Sequence, residues 1–484
     1  MSKQSISATA MVATGNPLAA QAALQMLQHG GTAVDAAIAA DAVMGVVEPM
    51  ATSIGGDLLA MIHSSGQPVQ SYNGTGRAPL ALDADNVAAL PGQRIPERHP
   101  WSVTTPGAVR GWHDLHAKYG RLPWKQLFAH AIKHARDGFA VAAVAAREWA
   151  IFDFVVRQHD DCARLYRAGN SPSAGEQFVN PELADVLEMI AQEGADAFYQ
   201  GWIPEQASQA VQRAGGLLTV QDFHQHTGNY CMPVSQRFNG FEVHQCPPNT
   251  HGVAILDALQ KIEQFAGTPY APETHIAMIE ATASAMKQAK STVADPAGNT
   301  VCTVIVDGNG LAITLMSSIF KRFGSGIVVP GGGFVLQNRG FGFSSPGHIN
   351  GPGPGKRPYH TVVPGITTLN NEFYLGMGVV GGLMQPQGQI QILTQVLAWD
   401  SGLPQAINAP RWRLEAGDTL AIEHGMPSTI EAAMRGAGYC KPPVSAGELA
   451  GRSDFGGAHA IVRLSDNTLL GAADQRKDGC VVAV

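Results

Sequence analysis

"DPAGNTVCTVIVDGNGLAITLMSS", residues Asp295–Ser318, is the stretch on which the reading of this chain turns. A β-branched run opens at Thr300, "DGNG" supplies turn residues, and "LAITLMSS" returns as a second β-like run, so the stretch predicts a hairpin. Ahead of it lies a loop of small and turn-forming residues ending in Asn299. Thr300 then has two readings. It can simply begin a strand, as threonines commonly do. It can also be a nucleophile, but a threonine hydroxyl is weak at neutral pH and needs a base. Placing the threonine at a chain N-terminus supplies that base as its own α-amine, which requires cutting the Asn299–Thr300 bond. Spacing alone favours the plain strand start.

Outward from the hairpin, the two halves of the chain differ. "GNPLAAQAALQMLQHGG" predicts a helix with Asn16 as cap, Pro17 in the first turn and Gly30 ending it in a left-handed conformation. "TAVDAAIAADAVMGVVEP" predicts a second helix, capped by Thr32 and apolar on most sides, hence buried. Helical spacing recurs in "WKQLFAHAIKHARDGFAVAAVAAREW" and "PELADVLEMIAQEGADAFYQG", with "LLAMIHSS" as a strand between. Beyond Thr300, "GIVVP", "FVLQN", "HTVVPGITTLN", "FYLGMGVV", "AHAIVRLSD" and "TLLGAAD" predict strands, and "QGQIQILTQVLAWDSG" and "TIEAAMRGAG" predict helices. This segregation predicts layered α/β or α+β packing, with the main chemical boundary at the loop before Thr300 and no internal repeat.

Composition narrows the function. The chain has 484 residues, 45% hydrophobic and 15% charged, which suits a well-buried globular protein. A net charge of -7 gives no basic footprint, so nucleic acid is not an expected partner. The opening "MSKQSISATAMVATGNP" has no apolar core of a secretory signal, and no apolar run is long enough for a bilayer. Six scattered cysteines without a CxxC pair argue against a structural metal site or a disulfide framework. The expectation is a soluble cytoplasmic protein with no membrane partner, no metal and no organic cofactor.

Longer motifs carry a family resemblance. "MVATGNPLAAQAALQMLQHGGTAVDAAIAADAVMGVVEP", "SIGGDLLA", "GSGIVVPGGGFVLQN", "PGKRPYHTVVPG", "GVVGGLMQPQG", "AINAPRWR" and "GAADQRKDGCVVAV" stand in the order found in the γ-glutamyltransferase family of N-terminal-nucleophile hydrolases, which the chain resembles over nearly its whole length. The resemblance implies a four-layer αββα sandwich made as one precursor. That precursor cuts itself into a large subunit, 1–299, and a small subunit, 300–484, which together form one unit and can pair as a homodimer. It places self-cleavage at Asn299–Thr300, makes Thr300 the nucleophile, and maps the glycine pair of the oxyanion hole onto Gly381 and Gly382. Backbone N–H groups at such a pair can hold a tetrahedral oxyanion, and glycine lets the backbone approach closely. Read without the resemblance, the pair is an ordinary turn.

Departures from the family pattern bear on substrate. The arginine that would hold a glutamyl α-carboxylate is replaced by Thr75, with Arg77 two residues on. The aspartate for the α-amine falls on Gly342, its paired asparagine on Ser318, a Ser-Ser pair on His360 and Thr361, and a threonine of the second hairpin strand on Met316. Groups that hold an ammonium are lost, while Arg77, Arg339 and His360 remain near the same loops. An unpaired buried ammonium costs several kcal/mol, of order 2–7 for polar groups in general, so a substrate without an α-amine is expected. A carboxylate suits an arginine fork and a histidine donor. Each of these cations can equally be a solvated charge or a structural hydrogen-bonder. The short, Gly- and Pro-rich "SPGHINGPGPG" stands where the transferases carry a lid, which favours water over an amino-acid acceptor.

The sequence is most similar to the branch of the family that includes oxamate amidohydrolase, so the expected reaction is hydrolysis of a small anionic amide, oxamate to oxalate and ammonia in purine-derived nitrogen salvage. The alternatives are a γ-glutamyl hydrolase or transferase, an acylase for bulkier amides, and an unprocessed, non-catalytic binding protein.

Overall fold

The computed structural model describes residues 3–7, 9–265, 267–269, 271–293, 299–415, 419–438 and 455–484. Residues 294–298, ahead of the expected cleavage point, and Cys440 lie outside the described residues.

The hairpin forms as its sequence predicts, with strands Asn299–Val306 and Ala312–Phe320 paired antiparallel. Asp307 fixes the turn by accepting from the Asn309 and Leu311 N–H groups, and its second oxygen accepts from Ala33 N, tying the turn to a helix start. The register slips between Asn299 and Val301, so Thr300 lies at an irregularity in the ladder.

Around this hairpin grows a seven-stranded antiparallel sheet, in the order Cys480–Ala483, Met11–Thr14, Asn299–Val306, Ala312–Phe320, Asp57–His63, Gln70–Gly74, Asn229–Cys231. A second seven-stranded sheet runs Gln4–Ser7, Leu469–Ala473, Gly457–Arg463, Glu372–Val380, Gly365–Leu369, Phe241–Gln245, Val234–Phe238. The sheets pack face to face. Cys302, Val304, Val306 and Met316 from the first meet Ile366, Phe373, Val380 and Ile461 from the second. Close approach depends on Gly378, where a Cβ would lie 2.6 Å from Cys302 Sγ and 2.7 Å from Met316 Sδ.

Helices cover both outer faces, giving the expected four layers. Against the first sheet lie Pro17–Gln28, capped by Asn16, and Ala33–Val47, buried at every position and closed by a Thr32–Asp35 capping box. Gly30 takes a φ of 83°, as its helix-ending place predicts. Gly252–Glu263 and Met384–Leu393 pack on the second sheet.

Several expectations need correction. "GIVVP" and "FVLQN" form no strand and share only one bridge, Val328 to Val335, because Gly331 and Gly333 turn the chain with φ of 72° and 69°. The long helical run around Trp124 breaks at Gly138, φ 94°, where Phe139–Ala140 instead pairs with Gln177–Phe178.

Candidate active site

Thr300 enters the site from the first residues of its strand. It is 3% exposed, and it shares strand parity with Cys302 and Val304, which face the other sheet. Its Oγ1 accepts a 2.7 Å hydrogen bond from Gln385 Nε2. Gln385 lies on the Met384–Leu393 helix, just after the facing strand Glu372–Val380. Gly381 and Gly382 make that strand-to-helix turn with φ of 118° and 60°, a conformation that disfavours any side chain. Their carbonyls accept from Met384 N and Gln385 N. The glycine pair and the residue bonded to the threonine hydroxyl are therefore one continuous turn.

A buried charge cluster centres on Asp57. Asp57 opens the Asp57–His63 strand, in register with Ser318 of the neighbouring strand. One Asp57 oxygen meets Arg339 Nη2 at 3.1 Å and His360 Nε2 at 2.8 Å, and the other accepts from Gly76 N at 3.1 Å. All three side chains are fully buried. Burial alone would raise the Asp57 pKa, but Arg339, His360 and the Gly76 N–H outweigh it and hold the carboxyl well below its ordinary range. Burial and the Arg339 charge push His360 down to about 4, against the pull of Asp57, so the ring is neutral near pH 7. Val362 N donates to His360 Nδ1 at 3.0 Å, which makes Nε2 the protonated nitrogen, donating to Asp57.

The sequence-derived candidates are distributed around this cluster. Neither ring nitrogen of His360 is left for a substrate carboxylate, so in this arrangement the imidazole orients Asp57 instead. Arg339 stacks on the Phe320 ring at 4.5 Å, and its Nε and Nη1 have no hydrogen-bond partner among the described residues. Thr75 is buried; its N–H donates to Asn73 Oδ1, and its hydroxyl lies 3.4 Å from Asn249 Nδ2. Asn249 also donates to Pro358 O and accepts from His360 N, joining Thr75 to the His360 strap. Ser318 accepts from Phe320 N within its own strand end. The Thr361 hydroxyl is fully buried and unpartnered among the described residues. Arg77, half-buried, donates to Gly355 O and lies near Arg357, where burial and the Arg77 charge push the Arg357 pKa down to about 10. The strap from His360 reaches Val363, whose N–H donates to Gln385 Oε1 at 3.2 Å. Thr300 and Asp57 also lie on the two strands that flank Ser318, about two strand spacings or ~10 Å apart, which puts the cluster and the threonine in one region.

Sequence reasoning missed Asp57, Asn249, Arg357 and Gln385. Asp57 had a signal, a lone acid at the head of the apolar strand "DLLAMIH". Gln385 had another, the run "QPQGQIQ" in a helix buried along its whole length.

A separate cavity of about 550 Å³, lined by residues including His63, Met232, Glu242 and His244, opens at the far end of the Asp57–His63 strand. Six residue steps, ~20 Å, separate it from Asp57, so it is not the space beside Thr300.

Comparison with known proteins agrees with this geometry. The family model for gamma-glutamyltranspeptidase matches residues 19–302 and 293–484, two pieces that meet at the Thr300 segment. The glutathione hydrolase-like YwrD proenzyme of Bacillus subtilis is 30% identical, with all of both chains covered. The oxamate amidohydrolase proenzyme of Klebsiella pneumoniae is also 30% identical, with 99% of each covered. The cephalosporin acylase structure from Bacillus halodurans superposes with a TM-score of 0.93 at 32% identity, covering 99% of this chain and 97% of that one. With two full-length proenzyme relatives, an acylase of the same fold and a buried threonine opening the inner strand, the chain belongs to the gamma-glutamyltranspeptidase family, as a self-processing N-terminal-nucleophile hydrolase of amide bonds.

Proposed function

We propose that the chain cuts its own Asn299–Thr300 bond and that the freed Thr300 hydrolyses a small amide whose acyl part carries a carboxylate, with oxamate as the best-fitting substrate. In this cycle the Thr300 α-amine takes the hydroxyl proton as Oγ1 attacks the amide carbonyl. The Gly381 and Gly382 N–H groups stabilise the oxyanion, the C–N bond breaks, and the amine passes its proton to the departing nitrogen. Ammonia leaves an oxalyl ester on Thr300. Water, deprotonated by the same amine, then attacks that ester, releasing oxalate and restoring the hydroxyl. The large and small fragments stay together as one unit.

The single observation that carries the nucleophile is the buried Thr300 hydroxyl held against the turn that contains Gly381 and Gly382. The substrate reading rests on Asp57. Three donors already engage it and the Arg339 guanidinium balances its charge, which makes it a poor partner for a substrate α-ammonium. Arg339 retains unpartnered N–H groups, and Arg77 and Arg357 add positive charge nearby. That balance favours an anion without an amine, and the relative named for oxamate hydrolysis, matched end to end, supports the same choice. A second reading, an acylase for bulkier amides, is supported by the likeness to the cephalosporin acylase structure.

The test is an ammonia- and amine-release screen on processed protein with oxamate, a γ-glutamyl anilide and glutaryl amides. Oxamate is expected to give the highest kcat/KM. Faster release of the aniline overturns the substrate argument, and faster glutaryl hydrolysis selects the acylase.

A further inference from the structure

Gln385 is not part of the reaction as drawn so far, yet it touches the reacting atom. Its amide cannot be turned the other way. Val363 N–H is a donor, so the side-chain oxygen must face it, and Nε2 must then donate to Thr300 Oγ1. The hydroxyl oxygen therefore receives a hydrogen bond, and its own proton is free to go elsewhere. A fixed N–H aimed at an oxygen that becomes negative as it attacks is the arrangement of a preorganised electrostatic catalyst. The side chain is fully buried, where such a bond is stronger than in water. Met316, beside Cys302 in the register of the hairpin strand, ends in a thioether packed between the sheets and donates no hydrogen bond.

We propose that Gln385 is a catalytic residue of both reactions at Thr300. It donates to Oγ1 as that oxygen attacks the Asn299 carbonyl during self-cleavage, again as it attacks substrate, and again as it leaves during deacylation. It gives up no proton. The proposal rests on the reading of Thr300 as nucleophile.

A merely structural Gln385 would hold the Val363 strap and nothing more. Gln389 provides the control, since it lies one turn on and donates to Val363 O without touching Thr300. Full-length Gln385→Met, Gln385→Glu, Gln389→Met and Thr300→Ala proteins are compared by precursor cleavage on denaturing gels and by kcat and KM for ammonia release from oxamate, or from whichever amide the screen selects. Gln385→Met is expected to slow cleavage and kcat by roughly 10²-fold, the usual loss of one preorganised donor, with KM changed little. Gln389→Met is expected to stay within about threefold of the parent by the same scale. Gln385→Glu keeps an acceptor for Val363 N–H but places a carboxylate beside the Thr300 ammonium. It is expected to move the acid limb of the pH profile upward by about one unit, which a strap holder would not do.

Gln385→Met cleaving and turning over like the parent overturns the proposal. So does equal slowing by Gln385→Met and Gln389→Met, and so does an acid limb left unmoved by Gln385→Glu. A Thr300→Ala protein that still cleaves or turns over instead removes the nucleophile reading, whatever the Gln385 variants do.

Discussion

Replacing Thr300 by alanine removes one oxygen and, on the proposed mechanism, both reactions. The expected outcome is a single intact band near 51 kDa and turnover at background; two fragments with activity in that variant refute the scheme. The basic residues nearby separate just as cleanly, because their partners differ. Arg339 neutralises a buried carboxylate, so Arg339→Met leaves Asp57 facing only a neutral histidine and the Gly76 N–H. Breaking a buried pair from one side costs roughly 3–5 kcal/mol, and urea unfolding should show a loss of that order. Arg77 is half-buried and bonds a backbone carbonyl, not an acid. Arg77→Met should change stability by no more than about 0.5 kcal/mol. If Arg77 meets the substrate carboxylate, the same change raises KM for anionic amides about tenfold while sparing neutral ones, the scale of one charge-assisted hydrogen bond. Equal KM changes for both classes would assign Arg77 a structural place.

At the scale of elements, the Met384–Leu393 helix explains why part of this site was hard to read. Four glutamines at alternate positions look too polar for a core, yet each is buried. Gln387 accepts from Leu414 N and donates to Leu414 O, and Gln391 does the same with Trp412, so these two side chains act as an extra strand beside Trp412–Leu414. Gln385 and Gln389 serve the two backbone groups of Val363 from the helix's other side. Gln391→Leu should therefore destabilise by about 1–3 kcal/mol per orphaned backbone group, visible as a lower Tm, with kcat preserved. Local pattern revealed the hairpin, because β-branched runs and "DGNG" need no distant partner, and it revealed the Asn16 and Thr32 caps for the same reason. It failed where a distant segment decides. The Gly138 break depends on a strand pair with Gln177–Phe178, and the Asp57 cluster joins residues some 280 to 300 positions apart. Thr300 could be singled out by resemblance, whereas the Gln385 bond to its hydroxyl is a product of packing one sheet on the other.

Across the whole molecule, both sheets draw strands from either side of Asn299–Thr300, so cleavage there leaves two interleaved fragments sharing both sheets. Their joint stability then depends on what is buried between them, and the buried histidines shape its pH dependence, four of them most strongly. Burial pushes His226, His251 and His459 down to about 3, helped at His226 by Arg357, Arg77 and Arg110, and burial with Arg339 takes His360 to about 4. Unfolded, each titrates near ~6.5. Below that pH the unfolded chain binds protons the folded one refuses, so the stability these rings provide is complete above ~6.5 and is lost as pH falls toward 3–4. Two buried acids oppose this. Burial raises Asp41 to about 6 and Glu48 to about 8, so the folded state holds protons there that the unfolded chain has released, and acidification relieves that cost. From these six groups the difference between pH 6 and 5 is about two protons in favour of unfolding, a contribution of roughly 3 kcal/mol per pH unit. Melting of the processed protein, followed from pH 8 to pH 5 at fixed ionic strength, should show Tm falling steeply below pH 6.5 and the two fragments separating in the same transition. A Tm that holds or rises over that interval would mean that the histidines take up protons while folded, and the neutral ring assigned to His360 beside Asp57 would go with them.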